Sequence, residues 1–68
     1  MTQTLFEFIR EQSYVKNKSL NQLSRDIDVS YPTINNLKHR APSRMTYHKL
    51  AQYFDVEVYD LLQYPIKK

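Results

Sequence analysis

The chain contains no cysteine, no glycine, and no run of apolar residues longer than three. The first absence removes disulfides and thiolate metal sites, and with them any argument for an oxidising compartment. The second removes the glycine-rich loops that cradle phosphates in nucleotide-binding enzymes, and it obliges tight turns to be made by Asn, Asp, Ser or Pro. The third leaves nothing able to span a membrane, and the N-terminal stretch MTQTLFEFIREQ lacks the basic start and apolar middle of a secretory signal. A soluble, cytoplasmic protein is expected, with no membrane partner.

At 68 residues there is room for one small domain, 1–68, and none for a ligand-sensing or self-cleaving domain beside it. The net charge of +3 is unevenly placed. Residues 1–30 balance four basic against four acidic side chains, and residues 51–68 set Asp55, Glu57 and Asp60 against Lys67 and Lys68. Residues 31–50 carry Lys38, Arg40, Arg44 and Lys49 with no acid. Such a block is either a solvated basic face or the electrostatic footprint of an anionic partner.

Apolar residues recur at helical spacing and predict an all-α fold, a compact bundle of about five short helices. Thr4 with Glu7 fits a reciprocal cap, and helix one is expected over about Gln3 to Ser13 with Leu5, Phe6, Phe8 and Ile9 as its apolar cluster. YVKNKS reads as a loop, with Tyr14 and Val15 closing over the core. Ser19 with Gln22 repeats the cap and opens helix two, about 19–27, in which Leu20, Leu23, Ser24 and Ile27 share a face. Asp28 falls where a sharp turn is needed. Ser30 or Tyr31 caps helix three, about 31–39, with Pro32 tolerated in its first turn.

Pro42 disfavours helical geometry at Ala41, so helix three stops before it. Ser43 caps a fourth helix, whose Tyr47, Leu50, Ala51 and Phe54 repeat at helical intervals and which ends near Asp55. VEVYDLLQY has strand formers in its first half. A lone strand has nothing to pair with, however, so a short fifth helix carrying Val58, Leu61 and Leu62 is preferred. Pro65 ends it, and residues 65–68 are expected to fray.

Helix three carries the chemistry. At about 100° per residue, Ile34 and Leu37 define its inward side. The opposite side shows Pro32, Asn35, Asn36 and His39, flanked by Tyr31 and Lys38 on one edge and by Thr33 and Arg40 on the other. Two adjacent asparagines are poor helix formers, so helix stability does not explain them. An Asn amide can pair bidentately with adenine in the major groove, and Thr can touch a base edge or a thymine methyl. Lys38, Arg40 and Arg44 would then hold phosphates and fix the register. A plain polar solvent face is the alternative.

The run LNQLSRDIDVSYPTINNLKHR, then Pro42 and YHKLAQYFDVEVYDLL, resembles the Cro and lambda-repressor type of helix-turn-helix DNA-binding domain, also called the XRE family. Leu23, Ile27, Val29, Ile34, Leu37, Pro42, Leu50, Ala51, Phe54, Val56, Leu61 and Leu62 carry the likeness through their joint spacing. The resemblance implies helix three in the major groove, with base-reading positions at Tyr31, Pro32, Thr33, Asn35 and Asn36. It implies phosphate contacts near Lys18, Ser19 and Gln22, and at His39, Arg40, Ser43 and Arg44. The chain departs from the family at five points. Asp28 replaces the usual turn glycine, and Ser24 a common alanine. Lys38 stands where a Glu often pairs with an Arg near the end of helix one, here Arg10, and is read as a charge redirected to DNA. The loop between helices one and two is also about three residues longer than usual, and Pro32 restricts direct contact at its own position to apolar packing.

Catalysis is not expected, since His39 and His48 lie apart across a proline-broken connection; no metal site and no cofactor are expected either. The expected function is a sequence-specific double-stranded DNA-binding transcriptional regulator, a small Cro-like repressor of phage or mobile-element type. The rival is a protein-interaction module on the same scaffold, antirepressor-like or antitoxin-like, with a protein partner. One small module buries too little surface for tight specific binding, so a homodimer on a near-palindromic operator is expected. Its interface is expected on Val56, Val58, Tyr59, Tyr64 and Ile66.

Overall fold

Both reciprocal caps form, and each starts a helix at the expected place. In a computed structural model, which describes residues 3–67, the Thr4 hydroxyl accepts from Glu7 N–H at 3.2 Å while Glu7 Oε1 accepts from Thr4 N–H at 2.9 Å. Ser19 and Gln22 repeat the exchange at 3.2 and 3.0 Å. These caps open α1 (Leu5–Val15) and α2 (Leu20–Asp26). α3 (Tyr31–Asn35), α4 (Arg44–Phe54) and α5 (Val58–Leu62) follow, with a 3-10 turn over Asn36–Lys38 continuing α3. No helix among the described residues is long and apolar enough to cross a membrane.

The glycine-free turns have one solution used three times. Asn17, Asp28 and Asp55 take left-handed backbone with φ of 61°, 59° and 57°. After each, the next N–H reaches back five residues, Lys18 to the Ser13 carbonyl at 2.9 Å, Val29 to Ser24 at 2.8 Å and Val56 to Ala51 at 2.9 Å. Asn and Asp are the residues with a Cβ that best tolerate this conformation, and the backward bond satisfies a carbonyl that the helix end would otherwise leave unpaired. Val29 and Val56 then pack against the core and fix the direction in which the chain leaves.

That core takes one to three side chains from every helix. Leu5, Ile9, Leu23, Ile34, Leu50 and Leu61 are wholly inaccessible, and Leu37 nearly so. An aromatic cluster closes one end, where Phe8 stacks on Tyr64 at 4.6 Å and meets Phe54 edge-on at 6.1 Å. Ser24, in the place of a common alanine, is buried with its hydroxyl donating to the Asn21 carbonyl at 2.6 Å.

Four local expectations need correction. α1 runs past Ser13 to Val15, and Tyr14 and Val15 stand 84% and 72% exposed instead of closing over the core. Leu5, Ile9 and Ser13 recur every fourth residue on the buried face, so positions 14 and 15 fall off it. Helix three does not stay α-helical to His39; it tightens at Asn36, whose carbonyl accepts from both His39 and Arg40 N–H at 2.9 and 3.0 Å. Poor helix formers at 35 and 36 and the restriction imposed by Pro42 account for that. Ser30 occupies the cap position of α3 but makes no side-chain bond to its backbone. The tail does not fray from Pro65, because the Pro65 carbonyl accepts from Leu5 N–H at 2.9 Å and Ile66 is half-buried on the core. Lys68, the last residue of that expected tail, lies outside the described residues.

One polar group sits against the core without compensation. The Ser13 hydroxyl is buried and has no hydrogen-bond partner among the described residues, a situation that costs about 1–3 kcal/mol. Ser13→Ala removes the oxygen, leaves a small side chain and improves helix propensity. It is expected to raise the unfolding free energy by roughly 1 kcal/mol, read by denaturant titration; a loss of stability would mean that the hydroxyl is satisfied in solution.

Candidate nucleic-acid interface

The left-handed turn at Asp28 delivers the chain from α2 into α3, and a second contact holds that turn from outside. Lys49 of α4 donates its ammonium to the Asp28 carbonyl at 3.2 Å. Ile34 and Leu37 anchor the inward side of the α3 segment at 0% and 1% exposure. What remains outward is the set expected from the sequence: Tyr31, Pro32 and Asn36 are exposed, and Thr33 and Asn35 half-buried. The Ser30 and Thr33 hydroxyls bond each other at 2.7 Å, which explains why Ser30 does not cap the backbone.

The residues expected to hold phosphates separate into groups. Thr33, Asn36, Arg40 and Ser43 line one shallow concavity at the junction of the 3-10 turn and α4, with Leu37 and Thr46 beneath them. Two base-reading candidates and two phosphate candidates are thus brought together there. Ser43 also caps α4, its oxygen accepting from Thr46 N–H at 3.3 Å. His39, Arg40 and Arg44 are exposed, and the side chains of all three make no hydrogen bond or ion pair among the described residues. At the start of α2, the Gln22 carbonyl oxygen is taken by the cap, which leaves its amide N–H₂ donors for an external acceptor. Lys18 is shared with Asp26 at 3.4 Å.

Lys38 is differently placed. Its ammonium lies 5.1 Å from the centre of the Phe6 ring, and the Arg10 guanidinium lies 5.8 Å from the same centre. Where the family resemblance implies an acid paired with Arg10, the chain sets two cations against one aromatic quadrupole. No sequence pattern pointed to Phe6 as their common partner, because residues 6, 10 and 38 meet only in the folded chain. Of the four cations in the acid-free block, Lys38 and Lys49 are therefore engaged with the protein, while Arg40 and Arg44 face solvent.

Asp26 joins three elements. One of its carboxylate oxygens accepts from the Tyr53 hydroxyl at 3.0 Å and also faces Lys18, while Lys16 lies over the Tyr53 ring at 5.2 Å. The long loop before α2 is tied to α4 in this way. Burial first, then the bond to Asp26 and its charge, raise the Tyr53 pKa above the ordinary phenol value.

Of the residues expected at a dimer contact, Val56, Val58, Tyr64 and Ile66 lie partly buried on the chain's own core, and only Tyr59 stands clear at 70% exposure. Leu62, counted from the sequence among the apolar residues of helix five, is 56% exposed one turn further along the same helix. Since Ser19 caps a backbone N–H and Ser30 does not, Ser19→Ala is expected to cost about 1 kcal/mol of stability. Ser30→Ala is expected to cost less than half as much; equal losses in thermal melts would contradict the assignment of caps.

The pattern that defines the Cro/C1-type HTH DNA-binding domain matches residues 14–67, from the end of α1 through α5. No curated protein and no solved structure matches the chain. An all-α fold with a capped α2, a tight turn and a second helix showing amides outward agrees with that match over most of the sequence, and the chain belongs to the Cro/C1-type HTH DNA-binding domain family.

Proposed function

We propose that this DNA-binding domain is a sequence-specific transcriptional regulator of the small repressor kind, entering the major groove with the N-terminal half of α3. The observation that carries the proposal is the outward set Tyr31, Pro32, Thr33, Asn35 and Asn36 beside two solvent-facing arginines, Arg40 and Arg44. The rings and amides address base edges, while the arginines and the Gln22 amide hold the backbone on either side. His39 and the hydroxyls of Ser19 and Ser43 add weaker phosphate contacts. Lys18 contributes only by exchanging Asp26 for a phosphate. Lys38 drops out of the set, since an ammonium over Phe6 faces α1.

We also propose that two copies pair on a near-palindromic site. The pairing surface is centred on Tyr59 and Leu62, the two exposed apolar side chains of α5, and a two-fold axis would set each against its copy. A second reading, a protein-interaction module on the same scaffold, is favoured by Tyr14 and Val15, which form a separate exposed apolar pair at the end of α1.

Selection from a random duplex pool, followed by salt titration of the selected site, tests the first reading. Binding is expected to fall steeply with salt, and Asn35→Ala and Asn36→Ala to lose roughly 1 to 3 kcal/mol each where the amide makes a bidentate base contact. Sedimentation on the selected duplex should show two protomers per site, reduced to one by Tyr59→Glu. If no sequence is selected and the double asparagine variant binds as the wild type does, the interaction-module reading stands instead.

A further inference from the structure

Resting on the DNA-binding reading above, we infer that the operator core contacted by α3 consists of A·T base pairs, recognised through adenine edges and thymine methyl groups. Each base offers a distinct partner in the major groove. Guanine is taken mainly by Arg or Lys on O6 and N7, cytosine by a carboxylate on its amine, adenine by an Asn or Gln amide, and the thymine methyl by an apolar group. The outward set on α3 contains no cation and no carboxylate.

Two of the cations nearest in the chain are engaged with the protein. Lys38 lies over Phe6, and Lys49 is bonded to the Asp28 carbonyl. Arg40 follows the 3-10 turn and stands beside the reading face, in the concavity it shares with Thr33 and Asn36 next to the start of α4. The reading positions themselves therefore hold none of the cationic side chains that guanine mainly takes.

What these positions do offer fits the other pair. Pro32 is exposed and has only a hydrocarbon ring to present. The Tyr31 ring is 43% exposed. Thr33 shares its hydroxyl with Ser30 at 2.7 Å, which uses part of that group's bonding capacity and leaves its methyl unengaged. Asn35 and Asn36 then supply amides next to these three apolar groups. An A·T pair shows adenine N6 and N7 beside the thymine methyl on one edge, so a face that mixes amide and hydrocarbon complements it, whereas a G·C pair offers no methyl and no bidentate partner for an Asn amide.

Wild-type protein and chemically edited duplexes give the test without any risk of misfolding. After selection of a site, each thymine in the half-site is replaced in turn by uracil, which keeps the pairing and deletes only the methyl, and each adenine by 7-deazaadenine, which deletes the N7 acceptor. The inference expects A·T pairs at the contacted positions and an affinity loss of about fourfold for each contacted methyl removed. It also expects the response to 7-deazaadenine to disappear in Asn35→Ala or Asn36→Ala. A selected core with guanine at the contacted positions, lost in Arg40→Ala, would overturn the inference while leaving sequence-specific DNA binding in place. Uracil and 7-deazaadenine duplexes that bind as the parent does would overturn it in the same way. Failure to select any sequence would remove both this inference and the reading on which it rests.

Discussion

Asp28 holds a left-handed backbone in a chain without glycine, and the placement of α3 depends on that one turn. Its φ of 59° brings Val29 N–H within 2.8 Å of the Ser24 carbonyl and points α3 away from α2. The conformation is unfavourable for most residues with a Cβ, by roughly 1–2 kcal/mol, and less so for Asp. The backward hydrogen bond contributes about 1 kcal/mol in return. Burial of Val29 and the Lys49 ammonium on the Asp28 carbonyl tip the balance further toward the turn. Ile34 and Leu37 then lock α3 onto the core, so the outward side chains are directed mainly by backbone geometry and apolar packing, with the bond from Thr33 to Ser30 as an added side-chain contact.

The same economy governs charge. A block of four cations without an acid looks in the sequence like a single electrostatic surface, but the fold divides it. Lys49 serves the turn and Lys38 shares the Phe6 ring with Arg10, which leaves Arg40 and Arg44 for an anion. Lys38 and Lys49 keep their charge, and with it their long-range attraction for an anion, but on the reading proposed above the contacts that discriminate between base pairs fall on the neutral face of α3. The Ser30–Thr33 bond sharpens that face by turning a polar threonine toward its apolar side.

Much of this was legible in the sequence because it is local. The caps at Thr4 and Ser19 need only a residue and its neighbour three positions on; Asn and Asp as turn formers follow from the missing glycine; Ile34 and Leu37 declare their side of the helix by spacing. The outward placement of the residues proposed to read bases follows from the same spacing. What was not legible depends on residues distant in the chain. Nothing near Lys38 in the sequence indicates Phe6, nothing near Pro65 indicates the Leu5 amide, and the exposure of Tyr59 and Leu62 against the burial of Val58 and Leu61 depends on how α5 settles on α4. The shortening of α3 lies between the two: the adjacent asparagines and Pro42 were visible, but the point where the helix tightens is set by how Asn36 shares its carbonyl.

The turn at Asp28 is tested most directly by measuring unfolding free energy for the wild type, Asp28→Gly and Asp28→Val under the same conditions. Glycine enters the left-handed region without steric cost, so Asp28→Gly is expected to be at least as stable as the wild type. Valine, branched at Cβ, should lose about 1–2 kcal/mol or more. A valine variant as stable as the wild type would contradict the claim that this turn sets the position of the reading helix.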